Sequence, residues 1–132
     1  MKTRLLLQVL CGLALAAAIW SPSAALAQEP LTPDPPYQAK LERLSEVLGS
    51  IHFLRRLCGE ESMVWRDSMG ELIENEVPTA DRKARLTASF NHGYRSFDGV
   101  YTRCTDAASL ALGKFMAEGE ALTQDIATRY GN

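Results

Sequence analysis

The chain lacks the short motifs that most often mark a catalytic or metal-binding site. It has three cysteines and two histidines, with no CxxC pair and no GxSxG segment. Nucleophilic catalysis needs a base beside the nucleophile and a third group that orients the base. Zinc sites need clustered cysteine and histidine ligands. We therefore predict no catalytic residue, no metal site and no cofactor, and we interpret His52 and His92 as residues at the edge of the core.

Long apolar runs and an excess of basic residues are also missing after residue 27. No apolar stretch there approaches the roughly 20 residues needed to cross a bilayer, so we predict no transmembrane span in that part. The chain has 14 Lys and Arg against 16 Asp and Glu, and loss of Lys2 and Arg4 lowers the formal net charge from −2 to −4. An acidic domain is a poor partner for a polyanion, so we predict no nucleic-acid binding.

The first 27 residues have the pattern of a secretory signal peptide. Lys2 and Arg4 precede an apolar run at 5–19, and Ala25-Leu26-Ala27 has the small-x-small form of a cleavage site. Cys11 lies within the apolar run and lacks the small residues of a lipidation motif before it. We predict export to the periplasm, with cleavage after Ala27.

The remainder divides into a leader and a helical domain. Residues 28–36 contain four prolines and predict an extended, mobile leader. From 37 to 132, apolar residues recur at intervals of three and four, which predicts helices at about 36–58, 61–76 and from about 79 onwards. The last segment is either two helices that divide near Cys104-Thr105-Asp106, where N-cap residue types occur, or one long helix covered by a second copy of the chain. We predict an all-α bundle of three to four helices, with a homodimer as the alternative.

Two cysteines, Cys58 and Cys104, follow the predicted cleavage site. In an oxidising compartment such a pair typically forms a disulfide, and closing a loop of roughly 46 residues contributes about 4 kcal/mol in the loop-entropy model. The alternatives are a reactive thiol or a metal pair. Both cysteines fall on the apolar stripes of their predicted helices. We therefore predict a Cys58–Cys104 bond that joins the first helix to the third, with the Cys58 sulfur pointing into the core.

Arginines and aromatic residues cluster at a few places along the chain. The set comprises Arg55, Arg56, Trp65, Arg66, Asn91, Tyr94 and Arg95. Arginine, tryptophan and tyrosine are the side chains that most often dominate binding energy at interfaces. We predict a contact surface formed by Arg55, Trp65, Arg66, Asn91, Tyr94 and Arg95. The alternative is that the aromatics lie at the edge of the core and the arginines pair with nearby carboxylates.

Four short strings carry a resemblance to a known family. They are Leu48-Gly49-x-x-His52-x-Leu54-Arg55-x-Leu57-Cys58, Trp65-Arg66-x-x-Met69, Phe90-Asn91-x-Gly93-Tyr94-Arg95-x-Phe97 and Tyr101-x-x-Cys104-Thr105. With them the chain resembles a family of small secreted proteins of Gram-negative bacteria that has no assigned function. The resemblance covers nearly all of the chain after the leader. It implies a periplasmic protein but no reaction.

The sequence favours a protein that acts by binding. We expect a non-enzymatic periplasmic interaction protein that supports cell-envelope maintenance or assembly, with another envelope protein or an envelope polymer as its partner. A periplasmic stress chaperone is one alternative. A small enzyme acting on peptidoglycan or another envelope glycan is the other, and it would need two carboxylates about 5–10 Å apart in a cleft. The many glutamates fall at helical positions that we expect to face solvent.

Overall fold

The computed structural model of the chain describes residues 33–76 and 79–131. The predicted signal peptide and all but the last four residues of the predicted leader lie outside these residues. The described part contains four helices and no strand, which confirms the all-α prediction. The helices are α1 (Gln38–Leu57), α2 (Val64–Glu76), α3 (Ala80–Asp98) and α4 (Asp106–Tyr130).

Helix α1 is the centre of the bundle and contacts the other three helices. Most of the apolar stripe of this helix is buried, with Leu41, Val47, Ile51 and Leu54 at most 2% exposed. Polar residues of α1 are buried as well, because the helix is covered on several sides. One of them is Ser45, whose hydroxyl donates to Leu41 O at 2.8 Å and so has its partner within the helix.

The core has two parts along α1. Near the start of the helix, Leu41 packs with Met69 of α2 and Leu86 of α3. Near its end, Phe53 and Leu54 pack with Ala108 of α4. Helices α3 and α4 contribute side chains to both parts, and α2 contributes to the first, so α1 holds the bundle together at both ends.

Threonine side chains cap the last two helices at their start. Thr79 Oγ1 accepts from Arg82 N at 3.3 Å, and Thr105 Oγ1 accepts from Ala108 N at 3.2 Å. These bonds satisfy backbone donors that a helix start otherwise leaves free. The predicted division of the long segment near Thr105 is therefore confirmed. Helix α2, in contrast, begins at Val64, three residues later than predicted.

Helix α1 ends in a glycine motif that also positions the disulfide. Gly59 has a φ of +95°, and the N–H groups of Gly59 and Glu60 donate to Arg56 O and Arg55 O at 3.2 and 2.9 Å. This is the Schellman arrangement, which needs a residue in the left-handed region and favours glycine there. The capping residue immediately before Gly59 is Cys58.

The Cys58–Cys104 disulfide is present, with a Cα–Cα distance of 4.8 Å. Its predicted location in the core is wrong, because both cysteines are exposed. Cys58 caps α1 beyond the last helical turn, and Cys104 lies in the connection between α3 and α4 rather than on the third helix. The bond therefore joins the end of α1 to that connection at the surface.

Two glycines allow α1 and α3 to cross at very short range. A Cβ atom at Gly49 would come well inside 3.0 Å of Phe90 O, and one at Gly93 would come equally close to Glu46 O. Ser50 lies at the same crossing, with its hydroxyl 3.1 Å from Glu46 O and 3.3 Å from Gly93 O. Both backbones thus touch directly at this point, and any larger residue would force the helices apart.

Candidate functional site

A cavity of about 520 Å³ opens between α1, α2 and α3, and we call it the basic cavity. One face of each helix contributes to its wall, since the lining residues of each helix recur at intervals of three and four. Its polar and charged lining consists of His52, Arg56, Arg66, Thr87 and Asn91. Its other side chains are Met69, Ile73, Phe90 and Tyr94. A cavity of this size can hold one small organic molecule.

His52 lies in the wall of the basic cavity and is only 4% exposed. Its ring centroid is 6.0 Å from that of Phe90 and 5.7 Å from that of Tyr94. Its Nδ1 atom is buried and has no hydrogen-bond partner among the described residues. The prediction that His52 lies at the edge of the core is therefore wrong. His92 does lie outside the core, with Nδ1 3.2 Å from a carboxylate oxygen of Glu46.

The surroundings of His52 disfavour its charged form. Burial lowers the pKa of the imidazole below its ordinary value, because the cation loses its hydration. The positive charges of Arg56 and Arg66 lower this pKa further, and the negative charge of Asp67 opposes them. A neutral imidazole in the wall leaves one ring nitrogen able to accept and the other able to donate a hydrogen bond.

The two arginines of the basic cavity differ from most other arginines of the domain. Arg56 and Arg66 are both exposed, and neither forms an ion pair within residues 33–76 and 79–131. On the opposite side of α1, Arg43 pairs with Glu118 at 2.6 Å and with Glu46 at 2.9 Å. Those carboxylates raise the pKa of the Arg43 guanidinium. The positive charge at the basic cavity is thus uncompensated by a direct partner.

The remaining candidates from the sequence lie elsewhere. The Arg55 guanidinium is 5.0 Å from the centre of the Trp65 ring and pairs with Glu60 at 2.5 Å. Trp65 faces a second cavity on the other side of α2, where Met116 of α4 is also part of the wall. Arg95 is exposed and lines neither cavity. The structure therefore places Arg66, Asn91 and Tyr94 at the basic cavity, Arg55 and Trp65 together at another site, and Arg95 at neither.

The sequence prediction omitted three of the five polar or charged residues that line the basic cavity, namely His52, Arg56 and Thr87. His52 was assigned to the edge of the core, and Arg56 was left out of the predicted contact surface. The two residues are one turn apart on α1, a spacing that places their side chains on one face of a helix. The same spacing relates Thr87 to Asn91 on α3, so helical spacing, rather than adjacency in the chain, was the signal that could have found the site.

The second cavity has a volume of about 550 Å³ and a largely apolar wall. It lies between α1, α2 and α4, and Leu48, Ile51, Trp65 and Met116 contribute to it. A third cavity of about 270 Å³ lies between Tyr37 and Ile126. Among the described acidic side chains, Glu120 alone lines one of these three cavities. No two of these carboxylates therefore face each other across any of the cavities.

The described residues contain neither a cluster suited to a metal ion nor a helix suited to a membrane. No group of three or more His, Cys, Asp or Glu side chains that could hold a metal ion occurs in residues 33–76 and 79–131. Over the same residues, no helix combines the length and apolar character that a bilayer crossing requires.

Comparison with known proteins identifies one family. Residues 36–130, which include all four helices, match the family described as a protein of unknown function (DUF2385). No curated protein and no solved structure matches the chain. The matched segment begins just before α1 and ends at the last residue of α4, so it coincides with the folded domain. The chain therefore belongs to the DUF2385 family of proteins of unknown function.

Proposed function

We propose that this chain is an exported, non-catalytic binding protein of the periplasm that supports cell-envelope maintenance or assembly. The basic cavity is the site that holds its partner. The observation that carries this proposal is the pair of arginines, Arg56 and Arg66, which border a cavity without forming any ion pair in the described part of the chain. The partner is a protein or polymer of the envelope.

The chemistry of the cavity wall supports binding. Arginine presents five N–H donors in a planar fork and keeps its charge at any physiological pH. Asn91 and Thr87 add neutral donors and acceptors, while Met69 and Phe90 supply apolar contact area. A few polar groups set in an apolar wall are typical of a pocket that selects a ligand by shape and charge.

The location is tested by the mass of the native protein. Cleavage after Ala27 predicts a mature chain that begins at Gln28, and an intact-mass measurement on protein isolated from its natural source should show that species in a periplasmic extract. A native chain that still begins at Met1, or that carries a lipid on Cys11, would contradict the proposed export route.

The binding role is tested by crosslinking in the periplasm followed by mass spectrometry. The native protein is compared with Arg66→Ala and Asn91→Ala, and Lys114→Ala is the control because Lys114 is exposed on α4 and lines none of the three cavities. We expect the native protein and Lys114→Ala to recover the same partner, and the two cavity variants to lose it. Equal recovery by all four proteins would refute the basic cavity as the binding site.

A further inference from the structure

We infer that the ligand of the basic cavity is an organic oxyanion, a carboxylate or phosphate group carried on an apolar body. This inference rests on the proposed binding function and names the chemistry that the site selects. The arginines of the cavity supply the attraction for the anionic group, and the apolar part of the wall supplies the contact area for the body to which it is attached.

The charge around the cavity favours an anion. One arginine comes from α1 and one from α2, so the two charges approach the cavity from different helices. Asp67 is the acidic residue that acts on the cavity histidine, and it does not line the cavity. The chain as a whole carries a formal charge of −2. The two guanidinium groups have no ion-pair partner in residues 33–76 and 79–131, so the cavity is locally positive in an acidic chain. An oxyanion would neutralise this charge through charge-assisted hydrogen bonds.

Neutral polar side chains of the wall add hydrogen-bonding groups that do not depend on charge. His52 is more than nine-tenths buried, and its Nδ1 has no partner among the described residues. The amide of Asn91 and the hydroxyl of Thr87 line the same cavity. The Asn91 and Thr87 side chains can complete the hydrogen bonds of a small polar head, whereas the Nδ1 atom of His52 is closed to the cavity in this structure.

The apolar part of the wall favours an organic anion over a bare inorganic one. Met69 is 4% exposed, and it lines the cavity with Ile73 and Phe90. Water in contact with these side chains is released when an apolar body replaces it. A ligand that combines an anionic head with an apolar body therefore gains from both parts of the wall, whereas a free phosphate ion gains from one.

The test is calorimetric titration of the full mature protein with four probes. Phenyl phosphate and benzoate carry both features, inorganic phosphate has only the charge, and benzyl alcohol has only the ring. We expect the two aryl oxyanions to bind more tightly than either single-feature probe. Comparison of the two shows whether a phosphate or a carboxylate is preferred. Equal binding of benzyl alcohol and benzoate, or no binding of either aryl oxyanion, would overturn the inference.

Variants assign the binding to the arginines. Arg56→Gln and Arg66→Gln should each weaken the better aryl oxyanion by about tenfold or more, the usual effect of losing a charged hydrogen-bond donor. Arg103→Gln is the matched control, because Arg103 is also exposed and lines none of the three cavities. Thermal melting of each variant verifies the fold, and Arg66→Lys should give a smaller loss because it keeps the charge. If Arg56→Gln and Arg66→Gln bind the aryl oxyanion as tightly as Arg103→Gln does, the assignment of binding to these two arginines is refuted.

The outcome separates this inference from the proposed function. If Arg66→Ala loses its partner in the periplasm but no aryl oxyanion binds in the calorimeter, the oxyanion inference fails and the binding function stands. If an aryl oxyanion binds through the arginines but partner recovery does not depend on them, the proposed function fails and the inference stands.

Discussion

The packing of α3 on α1 differs sharply from the packing of α2 on α1. At the α1–α3 crossing, Gly49 and Gly93 bring the two backbones into direct contact. Helix α2 is 13 residues long, and Met69 is its one buried hydrophobic residue among those described. No Cα atom of α2 lies within 8 Å of α4 over the described residues. Cavities border α2 on both sides as a result.

The difference shows how a small bundle can be both stable and open. A domain of this size has a modest core, so one tight helix pair must supply much of its rigidity. With α1 and α3 locked together, α2 can remain loosely packed without loss of the fold. The space that its incomplete packing leaves next to α3 is the basic cavity.

The largest expected effect comes from removing the disulfide, which ties the end of α1 to the connection between α3 and α4. Cys58→Ser combined with Cys104→Ser should lower the free energy of unfolding by about 4 kcal/mol, because the unfolded chain regains the entropy of an open loop. Urea denaturation of the oxidised protein and the double variant measures this loss. The native protein under reducing conditions is the control and should match the variant. An unchanged denaturation midpoint would show that the bond contributes nothing to stability.

A methyl group at the α1–α3 crossing should have the next largest effect. Gly93→Ala places a Cβ against Glu46 O, so the helices must separate and the unfolding free energy should fall by about 3 kcal/mol. Gly113→Ala is the matched control, since Gly113 is also helical and a Cβ there meets nothing within 4 Å. That control should stabilise the protein by about 0.5–1 kcal/mol. If both variants unfold at the same urea concentration, the crossing is not as tight as described.

Acidification should lower the free energy of unfolding through His52, which lines the basic cavity beside α2. Its pKa is lowered in the folded state, so the unfolded state binds the proton first as the pH falls. The contribution of His52 to the unfolding free energy should therefore be complete above about pH 6.5, the ordinary pKa of histidine, and should decline as the pH falls below it. His52→Gln should flatten this decline, and His92→Gln should leave it in place because His92 is exposed. A decline that persists in His52→Gln would assign the effect to other groups.

The smallest expected effect on stability is that of Arg95→Ala. Arg95 is exposed and forms no ion pair within the described residues. Its removal should therefore change the free energy of unfolding by at most about 0.5 kcal/mol, and the thermal midpoint should shift correspondingly little. Since Arg95 does not line the basic cavity, its removal should reduce partner recovery less than Arg66→Ala does. A larger loss from Arg95→Ala would extend the contact surface beyond the cavity, and unfolding would make this arginine structural.

Features that depend on local chain geometry could be predicted from the sequence. Thr105 is a residue type that caps helices, and it caps α4 as expected. Gly59 is a residue type that commonly ends helices, and its positive φ follows from the motif that it completes. The pairing of Cys58 with Cys104 follows from their number after the leader. None of these predictions required knowledge of which helices pack together.

Features that depend on helix packing could not be predicted in the same way. His52 is buried because α1 is covered on several sides, whereas a periodic pattern assumes one buried face. Arg55 and Trp65 are each adjacent in the chain to a residue of the basic cavity. They nevertheless lie on the other side of α2, because successive residues of a helix point about 100° apart. Adjacency in the sequence therefore grouped side chains that the fold separates.

The disulfide also makes a covalent ring of the segment between residues 58 and 104. Helices α2 and α3 lie within that ring, while α1 and α4 extend from its two ends. A single proteolytic cut in the 59–63 connection would open the ring, but the two fragments would stay covalently linked through the disulfide. A nicked protein should migrate as one species on a non-reducing gel and as two species after reduction. If such a cut detached α2 from the bundle, the four helices would still belong to one covalent molecule and could reassemble.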